Sequence, residues 1–263
     1  MSAALDYGLR DRAAIVTGAG TGIGEAVART LAASGASVLI ADVHAPSARA
    51  VAESIGAGGG RAVPWEVDVT DPAAVDAMVD ACLDAFGALH VAVNNAGIHG
   101  DPSNPPVADY PLDWWNRIIA TNLSSVFYCL RAEVRAMRTA GAGGAIVNTA
   151  SIFGMVAAAG VSGYIAAKHG VVGLTKAAAL DHAPDGIRVN AVGPGFIKTG
   201  LVERNIPESA RPAVAVLHAL NRLGEPQEVA DLVAWLCSDA ASFCTGNYYA
   251  VEGGLLVQGA AMG

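Results

Sequence analysis

Short apolar runs and amphipathic stretches alternate along almost the whole chain. Ala13-Ala14-Ile15-Val16-Thr17 is an uninterrupted apolar run closed by glycines, the pattern of a strand buried on both faces. After it, Ile23, Val27, Thr30 and Leu31 fall on one helical stripe, and Gly35 marks the stop. Ser37 to Asp42 predicts a second strand and Ala62 to Asp68 a third. Pro64 inside the third places it at a sheet edge, because proline cannot donate to a ladder. Asp71-Pro72 has the form of an N-cap followed by proline at the first helical position. Val75, Met78, Val79, Cys82, Leu83 and Phe86 then repeat at three-four spacing. Further strands are predicted over Leu89–Asn94, Ala145–Ala150, Ile187–Val192 and Tyr248–Val251. Long helices are predicted over Leu112–Arg138 and Ser162–His182, with a last one opening near Pro226.

Alternation of this kind predicts right-handed crossovers and a doubly wound parallel α/β sheet of about seven strands, Rossmann-like, with helices on both faces. Gly100–Pro111 and Gly195–Arg222 are the only loop-rich breaks, and both follow strand ends where ligands bind in such sheets. They read as site loops, so residues 1–263 are expected to form one domain, with a substrate-binding loop around 195–222.

Composition narrows the function. The 263 residues are 53% hydrophobic and 15% charged, enough apolar mass for one large core. A formal charge of −8 without a basic run argues against nucleic acid or an anionic membrane surface as partner. No apolar run approaches the roughly 20 residues of a membrane span. Met1 to Arg12 lacks the apolar segment of a signal peptide, so a soluble cytoplasmic protein is expected. Cys82, Cys129, Cys237 and Cys244 sit singly in apolar stretches and read as inert buried thiols. No His/Cys/Asp cluster has ligand spacing, so no metal is expected.

Candidate chemistry begins at Thr17-Gly18-Ala19-Gly20-Thr21-Gly22-Ile23-Gly24, between the first strand and its helix. Glycines there let the backbone approach a pyrophosphate seated on the helix's positive end, although Ile23 occupies the third glycine place of the common dinucleotide pattern. Asp42 ends the second strand, where a carboxylate can accept from the ribose hydroxyls of an adenosine. Tyr164 and Lys168 lie four residues apart on one helical face, and a nearby cation favours phenolate. Ser151 ends the fifth strand, facing the ligand crevice. Asn122 stands mid-helix, where its amide competes with the backbone, which suggests a task outside the helix.

These motifs together resemble the short-chain dehydrogenase/reductase family over nearly the whole chain. Thr17 to Gly24 fits that family's glycine turn, and Asn94-Asn95-Ala96-Gly97 its sheet-stabilising motif. The resemblance implies a catalytic tetrad of Asn122, Ser151, Tyr164 and Lys168. It also implies NAD contacts from Gly18, Gly22, Ile23, Gly24, Asp42, Asp68, Val69, Asn95, Ala96, Gly97, Tyr164, Lys168, Pro194, Gly195, Ile197 and Thr199. Asp68 would meet the adenine, and Ile197 and Thr199 the carboxamide. In the implied mechanism Ser151 polarises a carbonyl and Tyr164 moves the proton. Lys168 holds the ribose and lowers the Tyr164 pKa, and Asn122 holds a water. His90 and Glu252 replace frequent aspartates at positions that look structural.

Ser151, Ile152, Met155, Tyr164 and Phe196, with Val156 and Leu201, are candidates for a substrate pocket to which His99 and Ser162 could add polar contacts. The apolar ones also fit ordinary packing. They favour a small or medium, uncharged secondary alcohol or its ketone. No Arg or Lys stands at Thr21, Val43 or His44, which favours NAD over the alternative of an NADP-dependent biosynthetic ketoreductase. A silent NAD-binding protein on the same fold is a further alternative, but it has no need of the tetrad. Large apolar faces on the two long helices, with Leu255, Leu256 and Val257 near the C-terminus, suggest a homotetramer like many family members.

Overall fold

The computed structural model describes residues 6–258. Strands β1 (Ala13–Thr17), β2 (Ser37–Asp42), β3 (Arg61–Glu66), β4 (Val91–Asn94), β5 (Gly144–Thr149), β6 (Ile187–Pro194) and β7 (Tyr248–Val251) form one sheet. Its order is β3-β2-β1-β4-β5-β6-β7, and every pairing is parallel. The helices are α1 (Gly22–Ala33), α2 (Ala45–Ala57), α3 (Pro72–Phe86), α4 (Leu112–Ile119), α5 (Ser125–Ala140) and α6 (Ser162–His182), then α7 (Gly200–Asn205), α8 (Arg211–Ala215) and α9 (Pro226–Cys237).

Strand periodicity divides the core in two. Ala14 and Val16 point into a layer built with α1, α2 and α9. Ala13 and Ile15 point the other way, into a layer built with α3, α5 and α6. Pro64 does lie on an edge strand, paired with Ile40 of β2 alone. Asp71 caps α3 by accepting from the Ala73 N–H at 2.9 Å. His90 Nδ1 accepts from the Ala13 N–H at 3.0 Å and a Glu252 oxygen from the Leu256 N–H at 2.9 Å, so both departures from the family pattern hold backbone. Among the described residues no helix is long and apolar enough to cross a membrane.

Three features differ from the sequence reading. The helix expected over Leu112–Arg138 is interrupted by a π-helical turn at Ala120–Ser124, with Asn122 inside it. A helix the sequence reading passed over, α2, uses Ala48, Val51, Ala52 and Ile55 as its buried stripe. The Gly195–Arg222 segment is not irregular throughout, since it contains α7 and α8. Cys82, Cys129 and Cys237 are free and buried, and Cys244 is half-buried. Burial pushes the Cys82 and Cys237 thiols up to about 12, which keeps them protonated.

Candidate active site

A cleft of about 850 Å³ opens along the carboxyl ends of the strands, across the point where the sheet order reverses between β1 and β4. Its floor at the β1 end is the glycine turn. Gly18 and Gly22 have φ of 63° and 61°, a left-handed conformation that glycine adopts at no steric cost. A Cβ at Gly20 would stand 2.8 Å from the Asp42 carboxylate and from Ser47. A Cβ at Gly24 would overlap the Gly18 carbonyl. The turn is clamped from β4: Thr17 Oγ1 accepts from the N–H groups of Asn95 and Ala96 at 3.0 and 3.1 Å, and Asn95 Nδ2 donates to the Thr17 carbonyl at 3.1 Å.

Thr21 places no side-chain cap on α1, so the first-turn N–H groups face the cleft free for an anion. Asp42 accepts from the N–H of Gly20 and of His44, each at 2.9 Å. A carboxylate can take about four such bonds, so two positions remain. Asp68 closes a turn by accepting from Thr70 N–H and Oγ1 at 2.9 and 2.7 Å, through Oδ1 alone. This cradle, a glycine turn without room for side chains beside an acid at a strand end, fits a dinucleotide.

At the β5 end the wall consists of side chains taken out of water. Lys168 is buried on α6, and its Nζ donates to the Thr149 carbonyl at 2.8 Å. With no carboxylate beside it, burial pulls its pKa down to about 8. Lys168 Nζ also lies 5.5 Å from the centre of the Tyr164 ring. The His99 ring stacks on that phenol at 5.6 Å, and Phe153 meets it edge-on at 6.2 Å. Ser151 Oγ accepts from the Phe153 N–H at 3.2 Å.

The expected depression of the Tyr164 pKa does not occur in the protein alone. Burial raises it, and only the neighbouring Ser151 hydroxyl pulls it the other way. The same desolvation that weakens the Lys168 charge penalises phenolate. His99 is pushed down by burial and is therefore neutral near pH 7.

Asn122 approaches the site without touching Tyr164. Its Oδ1 accepts from the Ile98 N–H at 2.8 Å and its Nδ2 donates to the Ile98 carbonyl at 2.7 Å, pinning the loop after β4. Each end of the amide thus has one partner, and the π turn aims both outward. Ser151, Tyr164, Lys168, Gly18, Gly22, Ile23, Asp42, Asp68, Val69, Asn95, Ala96, Gly97, Pro194, Gly195, Ile197 and Thr199 all line the cleft. Gly24 sits behind the turn.

The apolar substrate candidates scatter. Leu201 lines the cleft, whereas Ile152 is buried in the protein interior and Met155 is 53% exposed. Phe196 packs edge-on against His218. Thr21 and Val43, expected to decide the cofactor, line the cleft as well, whereas Asn116, Arg117, Thr121 and Arg204 line it without having been anticipated as contacts. A helical stripe opposite the buried one was the available signal for Arg117.

A family model described as enoyl-(acyl carrier protein) reductase matches residues 18–256. A short-chain type dehydrogenase/reductase from Mycobacterium marinum superposes with a TM-score of 0.91 at 38% identity, over 96% of this chain and 98% of that one. The chain belongs to the short-chain dehydrogenase/reductase family. Within it, a cyclohexanol dehydrogenase of Acinetobacter sp. (strain SE19) is 47% identical, across 92% of this chain and 94% of its own. A cis-4-hydroxycyclohexanecarboxylate dehydrogenase of Sinomonas cyclohexanicum is 46% identical, across 93% and 96%. As a short-chain dehydrogenase/reductase, the protein is an oxidoreductase of a family whose dehydrogenases use nicotinamide cofactors.

Proposed function

We propose that the protein is an NAD(H)-dependent dehydrogenase that interconverts an uncharged cyclic secondary alcohol and its ketone. The observation that carries this reading is the convergence of Ser151, Tyr164 and Lys168 on one wall of a cleft whose opposite end is the glycine turn. The names of the two relatives supply the cyclohexane ring, and the cyclohexanol dehydrogenase alone the uncharged substrate, since the other acts on a carboxylate.

The glycine turn, with the α1 N-terminus, would hold the diphosphate, Asp42 the adenosine ribose, and Lys168 the nicotinamide ribose. When bound, the cofactor supplies the hydride acceptor or donor. Ser151 Oγ already accepts from Phe153, so its own hydrogen is available to the substrate oxygen. Tyr164 takes the alcohol proton in oxidation and returns it in reduction. His99 and Phe153 fix the plane of its ring. Burial favours the protonated phenol in the protein alone, and a positive charge bound in the cleft would favour the phenolate. The residues Asn122 ties down at Ile98 keep the loop after β4 at the cleft edge.

For assembly we favour a homotetramer. Leu123, Phe127, Tyr128, Gly170 and Leu174 line an open apolar groove between α5 and α6, the two helices whose apolar faces support this reading. Light scattering that returns a monomer at micromolar concentration would end that part.

The functional test is a panel of cyclic and acyclic secondary alcohols with NAD+ and NADP+ in parallel, read by absorbance of the reduced cofactor. Cyclohexanol-like alcohols should react with NAD+. Binding of NAD+ without turnover of any member of the panel would overturn the reading.

A further inference from the structure

Ser151 must present its hydroxyl while standing beyond the end of the sheet ladder. The last ladder bond from β5 to β6 runs from the Ala150 N–H to the Val192 carbonyl, at 2.8 Å. Further along β6 stands Pro194, which has no N–H to donate. The ladder therefore stops at Ala150, and the Ser151 carbonyl, past its end, accepts from the Gly154 N–H at 2.8 Å. A second donor reaches the same oxygen. The Tyr248 hydroxyl, from edge strand β7 on the far side of β6, reaches over and donates to it at 3.0 Å.

The crossing needs a gap, and Gly193 supplies it. A Cβ on Gly193 would overlap the Tyr248 hydroxyl and its ring carbons. The phenol thus passes over the one β6 residue lacking a side chain. Burial pushes its pKa to about 12, so it remains a donor across the working pH range.

We propose that Tyr248 is a positioning residue for Ser151, with Gly193 as the gap that admits it. It is the second donor to the Ser151 carbonyl, beside the Gly154 N–H, and fixes the peptide plane that follows the Ser151 hydroxyl. The hydroxyl side of the same residue is held by the Phe153 N–H, so Ser151 is gripped from both ends. Loss of the Tyr248 donor leaves the Gly154 N–H as the carbonyl's partner and loosens the aim of the hydroxyl, while leaving the glycine turn, on the other side of β4, untouched. This rests on the reading of Ser151 as the group that polarises the substrate.

The test is a double-mutant cycle in the full-length protein. Tyr248→Phe removes one oxygen and keeps the ring. It should lower kcat about fivefold, the worth of a single neutral hydrogen bond, with the Kd for NADH unchanged. Ser151 also holds the Tyr164 pKa down, so the alkaline rise in the oxidation rate should shift to higher pH. In a Ser151→Ala background, Tyr248→Phe should change neither quantity further. Gly193→Ala, which evicts the phenol, should reproduce the Tyr248→Phe kinetics, and Tyr248→Phe alone suffices if that variant fails to fold. An equal loss of kcat in both backgrounds, or none in either, overturns the proposal. Full activity of Ser151→Ala by itself would instead refute the role of Ser151.

Discussion

Around β1–β3 the cleft wall is formed by side chains that are missing, whereas around β4–β6 it is formed by side chains removed from water. The glycine turn works because Gly20 and Gly24 leave no volume for a Cβ. Buried polar residues on β1 and α1 are limited to uncharged ones such as Thr17 and Thr30. The other half buries Glu133 and Lys168 together with Asn94, Asn148 and Thr175. There Asn94 Nδ2 donates to both Glu133 and Asn148 at 3.0 Å, and Asn148 Nδ2 donates to Thr175 at 2.9 Å. One half recognises by shape and the other acts through poised protons. The first should be sensitive to volume and the second to chemistry at constant volume.

The largest effect expected from that contrast is at Tyr164. Tyr164→Phe keeps the ring and removes the acid/base, so turnover should fall by about two orders of magnitude or more while NADH fluorescence titrations stay unchanged. Retention of a tenth of the activity would mean another group moves the proton.

Next comes Glu133, whose carboxyl is raised to about 7 by burial, partly opposed by its bond from Asn94. The folded carboxyl keeps its proton to higher pH than the unfolded one, so the unfolded state holds fewer protons between about pH 4.5 and 7. Stability should therefore fall as pH rises through that window, by up to about 3 kcal/mol. Glu133→Gln keeps the shape and should flatten the profile in urea titrations. An unchanged slope would show that the burial of this carboxyl does not set the pH dependence.

Asp42 tests the shape-reading half where it does carry a charge. A 2′-phosphate about 4 Å from the carboxylate at an effective dielectric of ~20 costs about 4 kcal/mol per pair of unit charges, before screening reduces it. The protein should prefer NAD by roughly a hundredfold in kcat/KM. Asp42→Ala should narrow that gap without reversing it, since no cation is gained. Equal use of both cofactors by the unmodified chain would refute the role given to Asp42.

The smallest effect concerns volume alone. A methyl at Gly24 collides with the Gly18 carbonyl, so Gly24→Ala should weaken NADH binding by about 2 kcal/mol, the ordinary cost of overpacking. Its kcat at saturation should stay within a factor of about two of the parent. A lowered kcat with intact binding would erase the division between the halves.

Much of this was legible in advance because it is local. Apolar runs closed by glycines located the strands, and Pro64 identified the edge from the chemistry of one missing N–H. The glycine turn and the Tyr164–Lys168 spacing picked out residues that line one cleft. What escaped depends on neighbours distant in the chain. Nothing near Asn122 announces a π turn, which persists because Ile98 takes both ends of its amide. The sign of the Tyr164 shift turned on burial beneath His99 and Phe153, not on the ammonium one turn away. Ile152 and Phe196 are not among the residues that line the cleft, and periodicity cannot separate a packed apolar residue from a substrate wall.

The π turn also constrains how this chain can change. One surplus residue in a turn rotates everything downstream by about 100° about the helix axis. With it, α4 meets α6 while α5 meets α3, two neighbours lying in different directions. Deleting one residue from Ala120–Ser124 would restore a continuous α-helix with better local geometry, yet it would turn either Val126, Leu130 and Met137 or Ile118 out of the core. Substitutions away from Asn122 leave the length of this segment intact, but a shortened version has no downhill route. In descent, the segment acts as a fixed-length joint between two helices whose lengths at their outer ends are free to drift.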